Sequence, residues 1–506
     1  MKPTKNITFK HNIDALIAAC IGASIIYWFA IQHGIGVSPD SLTYTSVARN
    51  MQHGRFWYQF DGMPLTIFPC FYPSFLGSII FITQHDIIAI APIINALLFA
   101  AVIFMVGCLA QQMVSHKLYK WLLLSCLIIS SSLVEIYSML WSETLFILLL
   151  VLFFIFLHKY GTNYSLKSLM QVSAIAALAC VTRFAGVTFI AIAGLVILMD
   201  GQLVWRRKWW HLLTFGIVSL LPLIANLSYN YLLQDTLTGM RQKSVTPFTN
   251  NVQLYGSVVY DWLHLPQILH PYATFIGCVL FLVLVVIIAK RCWQQQAIYS
   301  YQNIASVGFI MYVAFIVITS SISRYEPINN RLLSAAFIPM LLATSYWLPP
   351  ALQQLKIAAA RRVATAACLT VIGLFQYQQY LWLDDWRGMV VRYGVPGYTD
   401  ATWQQSPIVQ FLEKQHDYFV PNMAIYANAN DAVYFFSGLS CETVPEIAHT
   451  KEVQDFYSSK PHYIVWFINE FDNPSIVRLE TIQQHRRLDT LKTFSDGYIL
   501  MSSMKQ

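Results

Sequence analysis

Residues 37–51 read V-S-P-D-S-L-T-Y-T-S-V-A-R-N-M and residues 67–76 read I-F-P-C-F-Y-P-S-F-L, and between them they enclose the first polar interruption after an apolar N-terminal stretch. Asp40 follows Pro39, a residue favoured in the first helical turn, and Leu42, Val47, Ala48 and Met51 then recur at helical spacing. The spacing predicts a short amphipathic helix that fixes a carboxylate at a membrane surface. Pro69 and Pro73 bracket the aromatic turn Phe71-Tyr72, which leads straight back into apolar sequence. The loop is therefore expected to lie close to the bilayer.

Working outward, the chain has 506 residues, of which 56% are apolar and 11% charged. That charge content is well below the roughly 25% of a soluble protein. Apolar runs of roughly 16 to 25 residues match the length a helix needs to cross about 30 Å of hydrocarbon. The composition indicates a polytopic membrane protein. A net charge of +7 is accounted for by basic residues in short loops and requires no nucleic-acid partner. The run Ile13 to Ile31 is too long for a signal-peptide core and lacks a small-x-small cleavage site, so it reads as an uncleaved first helix. Nine cysteines are scattered without a C-x-x-C pair, which argues against a metal site or a disulfide framework. Cys70 and Cys441 are the two expected on the outer side, where a bond could form.

The spans expected from apolarity lie near 13–31, 87–113, 121–135, 144–157, 166–181, 184–199, 210–229, 271–289, 304–321, 332–348 and 363–381, about eleven in all. Phe71 to Thr83 is too short to cross and is expected as a partial segment in the outer leaflet. The N-terminal tail and the loops 115–120, 158–167, 201–208, 290–296 and 349–362 hold about fifteen Lys and Arg, against about seven in the alternate set. The tail is therefore expected in the cytoplasm. Counting 71–83 as a full span would invert every later loop and put most positive charge outside. After Leu381 the composition changes at D-D-W-R-G. Residues 1–381 are thus expected to form the membrane domain and 382–506 a small extracytoplasmic α/β domain, with a helix at 407–414 and strands near 423–426, 463–467 and 498–501.

On this topology the ionisable residues at the outer helix ends gather in few loops: Asp40 and Asp61, Glu135 and Glu143, Arg183, Arg241 and Asp261, then Arg324, Glu326 and Arg331. Charges at the membrane edge are costly, so they mark function, with snorkelling as the bland alternative. For Asp40 the alternative is a plain helix cap. For Glu143, in M-L-W-S-E-T-L-F, it is a glutamate that favours a helix N-terminus capped by Ser142. Arg183, Arg324 and Arg331 suit a phosphate, because a planar guanidinium makes paired bonds to phosphate oxygens; headgroup contact or pairing with Glu326 is the alternative. His33, His53 and His85 share that face but have no metal-ligand spacing.

The order P-D-S-L-T-Y in the first outer loop, P-x-x-Y-P-S-F-L returning to the membrane, S-E-T-L-F, and T-R-F-A-G-V between short helices resembles the GT-C membrane glycosyltransferases. More narrowly it is similar to bacterial relatives of the protein O-mannosyltransferases and the lipid A aminoarabinose transferase. The tail runs G-Y-T-D-A-T-W-Q-Q-S-P-I-V-Q-F-L and I-Y-A-N-A-N-D-A-V-Y-F-F-S-G are similar to the outer domains of such proteins. The resemblance implies a GT-C fold and an inverting transfer of a hexosyl or pentosyl group from a polyprenyl-phosphate donor to a lipid, glycan or protein acceptor on the outer face of a bacterial inner membrane. It places the first-loop acid at Asp40, as general base or orienting group; Glu143 is expected as the second catalytic carboxylate, tuning the site through its charge. Tyr44 and Tyr72, in the matching segments, are expected near substrate together with the three arginines. Many members carry two adjacent acids where this chain has Asp40 followed by Ser41, which weakens an expectation of divalent metal. A transporter or flippase of lipid-linked sugars is the competing reading. Transporters favour internal repeats and midplane sites, whereas this chain shows no repeat and places its charges at outer helix ends.

Overall fold

In the computed structural model the structure describes residues 12–31, 33–113, 117–239, 241–294, 298–324, 326–468 and 475–505. The N-terminal tail and parts of the loops 115–120 and 290–296 used in the charge count lie outside the described residues. The chain opens with α1 (Ile13–Ile31), α2 (Pro39–Gln52), α3 (Phe71–Thr83), α4 (Ile87–Met113), α5 (Lys117–Ile128), α6 (Ser131–Ser138), α7 (Glu143–Asn163) and α8 (Leu166–Thr182). It continues with α9 (Val187–Met199), α10 (Trp205–Gln234), α11 (Phe248–Leu263), α12 (Ala273–Trp293), α13 (Tyr301–Ile322), α14 (Asn330–Gln353) and α15 (Ala358–Tyr393). Among the described residues eight helices are long and apolar enough to cross a membrane, or nine if α5 and α6 form one span. The protein is a multi-pass membrane protein.

Several expectations change here. The third expected span is not straight: α5 and α6 meet at 45°, after Ser130 caps the N-terminus of α6. The last long helix does not end at Leu381 but runs through Asp384, Asp385 and Arg387 to Tyr393. The compositional break thus falls inside a helix, because charged side chains on an exposed face do not interrupt the backbone bonding that carries it. The partial segment 71–83 is a helix of 13 residues, α3.

Burial separates centre from rim. The apolar windows of α7 and α13 are 61% buried, whereas those of α10 and α12 are 22% buried. The centre is aromatic, with Phe189 packed between Phe146 and Phe153 at ring separations of 5.1 and 4.8 Å. The lipid-facing rim carries side chains such as Leu221 and Phe275, both more than half exposed.

The C-terminal part adds short helices, among them α16 (Ala401–Gln404), α17 (Pro407–Lys414) and α18 (Asn430–Ser437), around the strands β1 (Ile425–Ala427), β2 (Glu442–Thr443), β3 (His462–Phe467), β4 (Arg486–Phe494) and β5 (Gly497–Met504). The sheet order is β2-β1-β3-β5-β4, with β1 parallel to β2 and β3, and β5 antiparallel to β3 and β4. Strand β4 was not expected from its polar sequence. It starts with Arg486, whose fully buried guanidinium donates to Ser502 Oγ at 2.6 Å and to the Tyr457 and Ser459 carbonyls at 2.7 and 3.0 Å. Burial and the neighbouring Arg486 push the His462 imidazole down to about 4, so it stays neutral.

Residues 397–399 lace this domain to the membrane bundle. The Tyr398 amide donates to the Val37 carbonyl at 2.8 Å, and Thr399 Oγ1 to the Ile35 carbonyl at 2.7 Å. Gly397 makes this possible: its φ is +131°, and a Cβ there would lie 2.3 Å from the Val37 carbonyl oxygen. The same strand-like run pairs on its other side with the α6–α7 link, where the Gly36 amide donates to the Ser138 carbonyl at 2.9 Å and the Leu140 amide to the Gly36 carbonyl at 3.0 Å. The entries to α2 and α7 are thereby brought side by side. Cys70 and Cys441 are both free thiols, so the bond between them is absent.

Candidate active site

Ser38, not Asp40, caps α2. Its hydroxyl accepts from the Ser41 amide at 3.4 Å, and its own amide donates to Ser41 Oγ at 3.1 Å. The Asp40 carboxylate is left for another partner, Arg331 Nη2, across 291 residues of sequence. Trp141 holds both sides of this junction: its indole N–H donates to Ser38 Oγ at 2.8 Å, and its ring lies 4.2 Å below the Arg331 guanidinium.

Glu143 opens α7 and is 2% exposed. Ser142 makes no cap bond, so the helix-cap alternative for this segment is not what the structure has. Its hydroxyl instead accepts from Arg183 Nη1 at 2.9 Å and lies 3.3 Å from the Tyr44 hydroxyl. The Glu143 carboxylate bridges two arginines, with Arg183 Nη1 at 2.6 Å on one oxygen and Arg331 Nε at 2.8 Å on the other. Arg183 reaches it from an extended residue between α8 and a short turn at 184–186. Gly186 permits that turn, since a Cβ would lie 2.3 Å from the Ala179 backbone. Glu326 completes the ring 3.8 Å from Arg331 Nη1, and partial desolvation pushes its carboxyl up while Arg331 pulls it down.

A cavity of about 170 Å³ lies against this cluster, lined by Asp40, Tyr44, Ser142, Arg183, Arg241, Glu326 and Arg331 together with Phe68, Phe184 and Phe315. Glu143 does not line it and sits behind the arginines. Tyr72 does not line it either; it is 1% exposed and packs edge-on behind Tyr44 at 5.0 Å. Arg324 lies apart from the cluster, donating to Gln242 Oε1 at 2.6 Å and to Ser475 Oγ at 2.9 Å, where the C-terminal part meets the bundle. The sequence reading missed Trp141 and Ser142 as site residues, and it noted Arg241 without assigning it. Trp141 and Ser142 flank Glu143 in M-L-W-S-E-T, and that adjacency was the available signal.

Among the described residues no group of three or more His, Cys, Asp or Glu side chains is gathered to hold a metal ion. Asp40 and Glu143 instead converge on a guanidinium, a donor set that does not fit a divalent metal, so no step below passes through one. With Asp40, Glu143 and Glu326 set against Arg183, Arg241 and Arg331, formal charges balance. An entering anion must therefore compete with the carboxylates for the arginines.

The whole fold has solved counterparts. ArnT from Cupriavidus metallidurans bound to undecaprenyl phosphate matches with a TM-score of 0.58 over 98% of both chains at 11% identity. Its apo state matches with 0.58 over 97% of both chains at 12% identity. The archaeal oligosaccharyltransferase AglB from Archaeoglobus fulgidus, in complex with an inhibitory peptide and a dolichol-phosphate, matches with 0.55 over 91% of this chain and 69% of that chain at 11% identity. These likenesses show the GT-C fold. No protein-family model and no curated protein matches the sequence.

Proposed function

We propose that this chain, with its GT-C fold, transfers a sugar from a polyprenyl-phosphate donor to an acceptor hydroxyl or amine at the membrane surface. The observation that carries the reading is the Asp40–Arg331–Glu143–Arg183 cluster beside a cavity at the outer helix ends. Undecaprenyl phosphate and dolichol phosphate in the two neighbours support the donor class. The acceptor oxygen or nitrogen attacks the anomeric carbon, the bond from that carbon to the phosphate oxygen breaks, and the acceptor proton passes to Asp40. The charge that develops on the departing polyprenyl phosphate falls to Arg331 and Arg183. Attack opposite the leaving group inverts the anomeric centre.

In the structure the Arg331 fork is shared between the Asp40 and Glu143 carboxylates. A donor phosphate that draws the Arg331 fork onto itself would release the Asp40 carboxylate to face the acceptor. Donor binding thereby frees the base for its partner. Glu143 acts as a positioning residue, holding both forks toward the cavity, and Tyr44 lies on the cavity wall. At about 170 Å³ the cavity is below the range of about 300–1,000 Å³ usual for ligand sites, consistent with an arginine occupying part of the donor's space.

The direct test is cell-free: the protein with a labelled polyprenyl-phosphate sugar and an envelope extract should release free polyprenyl phosphate. Unaltered donor, or donor moved across a vesicle without cleavage, would replace this reading with transport. Arg331→Lys keeps a charge but loses the fork shared between Asp40 and Glu143. The donor KM should rise about 10- to 100-fold, the worth of one or two charge-assisted hydrogen bonds. Arg183→Lys should follow it, whereas Arg324→Lys, remote from the cavity, should leave the KM unchanged. Wild-type kinetics in Arg331→Lys and Arg183→Lys would remove the arginines from donor binding. We further propose that the outer domain is extracytoplasmic, as the loop charges require. A reporter active only in the cytoplasm and fused after Met504 should stay silent, and a strong signal would put the catalytic loops on the other face.

A further inference from the structure

A second and larger cavity, about 900 Å³, lies between α11 with the loop that follows it, α6, the first turn of α14, and α15. It is a built cleft. Gln379, fully buried on α15, accepts from the Ser131 amide at 2.8 Å and meets His264 Nδ1 at 2.9 Å, which ties α15 to α6 and to the end of α11. Asn330 donates to Glu135 Oε2 at 2.5 Å and accepts from the Trp262 indole at 2.8 Å. One wall is apolar, formed by Val371, Leu374, Phe375 and Trp382 of α15. Val371 and Leu374 are 62% and 58% exposed on a helix long and apolar enough to span, so this wall faces lipid.

The polar end of the cleft carries Glu135, Asp261, Asn330 and Gln378, and no Lys or Arg lines it. Burial holds the His264 imidazole below its ordinary range, so it adds no cation. The neighbouring cavity carries Arg183, Arg241 and Arg331 beside Asp40 and Glu326. The two meet at consecutive residues of α14: Asn330 lines the acidic cleft and Arg331 the arginine cavity. The linings differ in what they offer a head group: carboxyls and amides in the cleft, guanidinium forks in the smaller cavity, so a phosphate finds its charge-assisted donors in the second.

We propose that the cleft binds an amphiphile whose apolar chain lies along α15 and whose hydroxyl- or amine-bearing head group, without net negative charge, meets Glu135 and Asp261. That this amphiphile is the acceptor rests on the transferase reading; its binding does not. Its head would then lie beside Asn330, the residue next to Arg331 on α14.

The test is photolabelling of the full-length protein in phosphatidylcholine nanodiscs. One probe is a diazirine-tailed glucosyl diacylglycerol, and the other a diazirine-tailed polyprenyl phosphate. The glycolipid should label 258–269 and 371–382 about tenfold above the lipid-facing side of α12, where Phe275 and Leu282 are exposed. Glu135→Gln with Asp261→Asn should erase about tenfold of that enrichment, the worth of one hydrogen bond to a charged group. Leu374→Trp, which fills the cleft without touching its acids, should also erase it. The polyprenyl phosphate should show no enrichment in the cleft. Equal labelling of the cleft by the phosphate probe, or glycolipid labelling no denser than on α12, would overturn the proposal. Because labelling needs no turnover, it stands or falls separately from release of polyprenyl phosphate in the transfer assay.

Discussion

Asp40→Asn should lower transfer to the acceptor by about 10² to 10⁴ in kcat, the contribution of a positioned general base. Size and hydrogen-bonding shape are kept, and α2 loses no cap because Ser38 supplies it. Arg331 keeps Glu143 as an ion partner at 2.8 Å and Trp141 beneath it. The variant should therefore be made in normal yield and bind donor at least as well as the wild type, since one competitor for the Arg331 fork is gone. The pairing of a large fall in kcat with an unchanged or lower donor KM is what separates a base from a merely structural acid. Near-normal turnover at equal yield would place the base elsewhere.

Glu143→Gln should behave differently, and chiefly through stability. Its carboxylate is 2% exposed and is the ion partner of both Arg183 and Arg331. Glutamine keeps the shape but leaves two largely buried guanidinium groups short of a counter-charge, a loss of about 3 to 5 kcal/mol for a broken buried pair. Thermal unfolding of the purified protein in detergent should shift down accordingly. Neutralising one arginine as well, in Glu143→Gln with Arg183→Gln, should recover part of the loss, because the penalty comes from unpaired charge and not from missing volume. An unchanged melting temperature in the single variant would mean that solvent or other groups already balance those arginines. From the sequence Glu143→Gln is expected to be the milder substitution, with that carboxylate tuning the site through its charge.

What the sequence determined by itself were the features carried by near neighbours along the chain. The apolar runs give α1, α3 and α4 with the expected bounds, Pro39 opens α2, and the helix at 407–414 appears as read. The GT-C fold was legible because composition, short-range period and motif order record it, and Asp40, Glu143, Arg183 and Arg331, which meet in the structure, stand out as charges at helix ends. Tertiary structure alone decided who pairs with whom. Arg324 and Arg331 look alike seven positions apart, yet one reaches Ser475 on the outer domain and the other reaches Asp40 and Glu143. Strand β4 exists because β5 pairs with it, and α15 continues past a compositional break because backbone bonding ignores surface charge. The split into an arginine cavity and an acidic cleft turns on Asn330 and Arg331, consecutive residues on different sides of one helical turn. Helical period and apolarity are summed over adjacent residues, whereas an ion pair depends on which distant segments meet, and a single sequence does not record that meeting.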